Sequence, residues 1–168
     1  AGRANERLVA TPLPPSAAEV LDAELHPEPT VEPLECSEYL IITARGTGEP
    51  ETGQLVSPVA RKIAKALPKD TQTVDLDYPA DTDVQEGGTR GVRWLIDTLN
   101  VQAEACPKQH TVLLGYSQGA LVAGDALAQP EQRMVGATVG MVSEEAAEQV
   151  AAVVFYGDPR FVGSAPYN

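Results

Sequence analysis

The stretch Thr111-Val-Leu-Leu-Gly-Tyr-Ser-Gln-Gly119 decides how the chain is read. Thr111–Tyr116 is a short apolar run of strand character, and residues 118–128 read as a helix. Between them Gly115-Tyr-Ser-Gln-Gly119 is a G-x-S-x-G pentapeptide at a strand-to-helix turn. In that context the serine occupies a cramped turn, and the flanking glycines let the backbone pass without Cβ clashes. The turn lifts the Ser117 hydroxyl above the sheet. It also aims the backbone N–H of Gln118, at a helix N-terminus, at the oxyanion formed when Ser117 attacks a carbonyl. By chance the pentapeptide arises about once in 20 chains of this length, and the strand and helix around it make it rarer. A plain two-glycine packing turn is the competing reading.

Strand and helix alternate on both sides of this motif. Tyr39–Ala44 is an apolar run ending at Gly46, which suits a strand buried on both faces. Val56, Val59, Ala60, Ile63 and Leu67 give helical spacing across 54–67. Thr73–Tyr78 alternates and stops at Pro79, a second strand. Val92, Leu95, Ile96, Leu99 and Ala103 mark the next helix. Ser143 followed by Glu144 and Glu145 starts another, and Ala152–Tyr156 is a fourth strand. This order predicts right-handed βαβ units and a parallel sheet, with working loops at the carboxyl ends of the strands. Those loops are Arg45–Pro50, Pro79–Gln85, Ser117 and Asp158–Arg160. The first is expected to hold the second oxyanion donor, where Thr47 offers a backbone N–H and a hydroxyl. An ordinary glycine turn is the alternative there.

The 168 residues fit one domain. Residues 1–35 differ from the rest: six prolines fall here, and Ser16-Ala-Ala-Glu19 has the pattern of a capping box for one short helix continuing through Val20, Leu21 and Leu25. This segment is expected to be a wrapped arm, a pro-segment remnant or a linker. The opening Ala-Gly-Arg-Ala reads as a trimmed terminus. Twelve basic and 24 acidic residues give a net charge of -12, which argues against nucleic acid or an anionic membrane surface as partner. Half of that charge lies in residues 1–38. No apolar run is long enough to span a bilayer. Cys36 and Cys106 form no metal motif with any histidine, so no metal or cofactor is expected. They are either two separate buried thiols or one disulfide of an exported protein.

Cys106-Pro107 followed by Val112-Leu-Leu-Gly-Tyr-Ser-Gln-Gly119 resembles the signature of the cutinase family, which includes acetylxylan esterases and actinobacterial cutinase-like esterases. Tyr39–Thr47, Tyr78-Pro79-Ala80 and Phe155-Tyr-Gly-Asp-Pro159 resemble three further family segments in the right order. Leu114-Gly115 departs from the Gly-Gly that precedes the tyrosine in fungal cutinases. The resemblance covers residues 36–168. It implies an α/β-hydrolase three-layer sandwich with a central parallel sheet, whose C-terminal strand and catalytic loop are not in this chain. It further implies a Cys36–Cys106 disulfide, secretion, Ser117 as nucleophile, and Gln118 and Thr47 as oxyanion donors. The implied activity is hydrolysis of carboxylic esters. Cutin-like polyesters, short acyl esters, acetylated xylan and lipids all remain open as substrate.

One element of such a site is not found. In this fold the triad runs Ser, Asp, His along the chain. Only His26 and His110 exist, and both precede Ser117. His110 reads as a strand-edge side chain and Asp158-Pro159 as a structural turn. The triad Asp and His are therefore expected beyond Asn168, on a second chain cleaved from the same precursor. The alternative is a catalytically inactive truncated or binding domain on an esterase scaffold.

Overall fold

The computed structural model describes residues 14–67 and 69–160. Residues 1–13 of the expected extension, and 161–168 with the expected stop at Asn168, lie outside the described residues. Four parallel strands make one sheet in the order β2–β1–β3–β4: β1 Tyr39–Ala44, β2 Thr71–Asp75, β3 His110–Tyr116 and β4 Val150–Tyr156. Parallel neighbours need crossovers, and each crossover carries a helix. Helix α2 (Ser57–Ala66) links β1 to β2, and α3 (Thr89–Ala105) links β2 to β3. Helices α4 (Gln118–Leu127) and α5 (Glu144–Gln149) lie between β3 and β4.

The strand pleat sorts the core into two clusters. Leu40, Ile42, Ala44 and Leu113 pack with Val92, Leu95, Ile96, Val122, Ala123 and Ala146 of α3, α4 and α5. Ile41, Val112 and Leu114 face the other way, onto Ala60 of α2 and Val56 just before it. The result is the three-layer α/β-hydrolase sandwich. The first crossover leaves β1 toward β2 over one face, and the later ones run the opposite way over the other. The order therefore reverses between β1 and β3, and the carboxyl ends of these two strands are where doubly wound sheets place their working site.

Cys36 and Cys106 are joined in a disulfide that ties the approach to β1 to the end of α3. Residues 14–35 run along α3 as a wrapped arm. A proline-rich segment cannot satisfy its own backbone groups, and side chains of α3 do so instead. Arg93, 2% exposed, donates to the carbonyls of Leu21, His26 and Glu28 and to the Asp97 carboxylate. Asp97 in turn accepts from the amide and hydroxyl of Thr30, and Gln102 accepts from the Leu34 amide.

Two elements differ from the sequence reading. Helix α1 is one turn, Ala17–Val20, and Ser16 caps it without a side-chain hydrogen bond. The carboxylate of Glu86, from across the fold, accepts from the Ala17 amide instead. Asp22 then captures the amides of Glu24 and Leu25, which ends the helix and leaves Leu25 69% exposed. Strand β2 stops at Asp75 rather than at Tyr78. The carbonyls of Leu76, Tyr78 and Pro79 are taken by the Arg45 guanidinium, which draws this segment off the ladder and into the core.

Candidate active site

Ser117 follows β3 directly and opens α4. Its backbone sits at φ 52° and ψ -116°, a conformation that costs an L-residue roughly 1–3 kcal/mol and persists only when neighbours enforce it. Its amide donates to Tyr156 O at 2.9 Å, and its carbonyl accepts from Leu121 at 3.1 Å. Both flanking glycines are sterically required. A Cβ on Gly115 would lie 2.9 Å from backbone atoms of Ala120, and one on Gly119 would collide with the carbonyl of Ala44. The elbow is thus wedged against the end of β1, at the reversal point of the sheet.

The loop after β1 meets it there. Gly46 crosses the Tyr116 ring with no room for a Cβ. Glu49 folds the loop back, its carboxylate accepting from the amides of Gly46 and Leu55, each at 2.8 Å. Thr47 is at the exposed tip. Gln118, 3% exposed, reaches over with its side chain: Nε2 donates to Thr47 Oγ1 and to Asp81 O, both at 2.8 Å. Ser117, Gln118 and Thr47 are therefore together, on two adjoining pieces of backbone, the elbow and the loop after β1.

A group of residues that the sequence reading gave no role holds this loop. Arg45 is 7% exposed, and among the described residues its guanidinium meets only carbonyl acceptors, those of Glu49, Leu76, Tyr78 and Pro79. It lies 5.3 Å from the centre of the Tyr78 ring. The Tyr78 hydroxyl donates back to Arg45 O. Burial pushes the Tyr78 pKa above the ordinary tyrosine value, against the opposing pull of Arg45, so the phenol stays a neutral donor. Ala80 adopts φ 49° and accepts from the Gly48 amide at 2.8 Å. The sequence signals for this latch were an arginine directly after an apolar strand and the family-like Tyr78-Pro79-Ala80 segment, neither of which shows by itself that the two meet.

The other candidates lie apart. His110 begins β3 and stacks on Tyr39 at 5.5 Å between ring centres. Six residues of strand lie between it and Ser117, roughly 20 Å. His26 belongs to the arm, its carbonyl bound by Arg93. Asp158 caps a turn by accepting from the Arg160 amide at 2.9 Å. Arg160 pairs with Asp125 of α4 at 2.7 Å. Asp125 also accepts from the amides of Met134 and Val135. Burial raises its pKa, and those partners oppose the rise. Among the described residues no three His, Cys, Asp or Glu side chains gather as a metal site. No helix among them is long and apolar enough to cross a membrane. An apolar cleft of about 390 Å³ lies between the arm, β2 and Trp94, and none of Ser117, Gln118 and Thr47 lines it.

Residues 35–167 match the family model described as Cutinase. The chain is 38% identical over 127 residues to a cutinase of Kineococcus radiotolerans, covering 74% of this chain and 42% of that protein. It is 30% identical over 138 residues to a cutinase of Botryotinia fuckeliana, covering 79% of this chain and 62% of that one. The solved catalytic core domain of acetyl xylan esterase from Trichoderma reesei superposes with a TM-score of 0.63 at 27% identity, over 80% of this chain and 69% of that chain. The chain thus spans less than two thirds of the length of either cutinase.

Proposed function

Because the chain belongs to the cutinase family, we propose that it carries the nucleophile and oxyanion hole of a secreted serine carboxylester hydrolase. Ser117 Oγ attacks the ester carbonyl, and the new C–O bond gives a tetrahedral oxyanion. The amides of Gln118 and Thr47 stabilise that charge. The carbonyl re-forms as the alcohol leaves with the serine proton, and water then releases the acid from the acyl-enzyme. A histidine oriented by an aspartate shuttles the protons. Neither His26 nor His110 is placed for this, so both groups come from polypeptide beyond residue 168, which completes the domain from the same precursor as a continuation or a cleaved second chain. Cutin-like polyesters or short-chain acyl esters are the substrates, and the Cys36–Cys106 bridge supports an oxidising, extracellular location.

The observation that carries this reading is the strained Ser117 backbone, braced by two close-packed glycines and set beside the Gln118–Thr47 contact. The test is hydrolysis of p-nitrophenyl butyrate by the full-length protein and its Ser117→Ala variant. Activity should fall by about four orders of magnitude or more; unchanged activity refutes the reading. A second reading, a non-catalytic binding domain on this scaffold, draws on the lack of a histidine among residues 118–168.

A further inference from the structure

The cleft between the arm, β2 and α3 has apolar walls and charge of one sign. Its walls are Val31 and Leu34 of the arm, Val74 and Leu76 at the sheet edge, and Trp94 of α3. Hydrogen bonds on either side of Val31 hold the arm wall in place, from Thr30 to Asp97 and from Leu34 to Gln102. The cavity of about 390 Å³ is therefore preformed, and it falls within the range of small-molecule sites. Its charged lining residues are all acidic: Glu32, Asp75 and Asp77. Asp75 accepts from the Thr43 hydroxyl. Glu32 and Asp77 are exposed and, among the described residues, take part in no ion pair. Arg93, which anchors the arm, is already spent on Asp97 and three arm carbonyls.

We propose that this cleft binds a small organic cation with an apolar body, an alkyl- or arylammonium ion. The face of a tryptophan attracts a cation placed over it, and the rim carboxylates favour the same sign of charge. The apolar walls remove the hydrocarbon part from water. An anion is repelled at this rim, and a neutral molecule of the same shape gains only the burial. None of Ser117, Gln118 and Thr47 lines the cleft, so this is a second site and does not depend on the esterase reading.

The test is titration of the full-length protein with benzyltrimethylammonium, followed by tryptophan emission and by calorimetry. Trp94 is the one tryptophan of these 168 residues. The probe should shift its emission saturably, and Trp94→Phe should remove that shift while calorimetric binding persists on the remaining aromatic face. Trp94→Leu should weaken binding about threefold. Glu32→Gln combined with Asp77→Asn, both at exposed positions, should weaken it about fivefold, and raising the salt about tenfold should act in the same direction. Benzyl alcohol and 3-phenylpropionate, the neutral and anionic counterparts, should bind at least about tenfold more weakly than the cation. Absence of a saturable emission change, equal affinity for benzyl alcohol, or unchanged affinity in the Glu32→Gln, Asp77→Asn variant overturns the proposal.

Discussion

At the scale of single residues, close approach and backbone strain make separable demands on glycine. Gly119 presses on the carbonyl of Ala44, backbone against backbone, so nothing soft yields to an added methyl. Gly119→Ala should cost about 2–3 kcal/mol in urea unfolding. Gly48 has φ 77° and open space around it, so Gly48→Ala should cost only about 1 kcal/mol, the penalty of the left-handed conformation. Equal losses would show that packing at the elbow is looser than the contacts indicate. The elbow was legible in the sequence because its requirements are local: five consecutive residues between a strand and a helix. The loop latch was not. Arg45 reads as a polar loop residue, and only its buried contacts with carbonyls more than 30 positions away reveal its task.

At the scale of elements, periodicity located β1, β3, α2, α3 and α4, whose apolar faces each meet one of the two core clusters. It misplaced the end of β2 and overextended α1, because tertiary groups decide both. Arg45 takes the carbonyls that would continue β2, and Asp22 takes the amides that would continue α1. The arm gives a second test. Arg93 and Asp97 form a pair with 2% and 10% side-chain exposure that anchors residues 21–30. Arg93→Met removes the cation and strands Asp97, which should lower stability by about 3 kcal/mol. Limited proteolysis should then cut first within residues 21–30. Unchanged cleavage would show that the disulfide and apolar contacts hold the arm without it.

At the scale of the whole molecule, the sheet order places Ser117 and Thr47 on neighbouring strand ends although 70 positions separate them. The cysteines span the same interval, and their bridge closes a loop of 70 residues. In the chain-entropy model such a loop constrains the unfolded chain by about 4 kcal/mol. Reduction should therefore shift the urea midpoint strongly downward without altering the native far-UV spectrum; no shift would mean that the unfolded chain is compact with or without the bridge. The charge also divides at this scale. Half of the net -12 belongs to residues 1–38, and the remainder of the chain is only mildly acidic. The position of the general base was not legible, because a triad is assembled by the fold and neither histidine here is carried toward the serine.

The central claim is that Ser117 is an activated nucleophile, and reaction with a fluorophosphonate followed by peptide mass spectrometry tests it most directly. The full-length protein should form one rapid covalent adduct, located on Ser117 and absent from Ser117→Ala. A protein that stays unmodified, or is modified at the same rate in that variant, would contradict it.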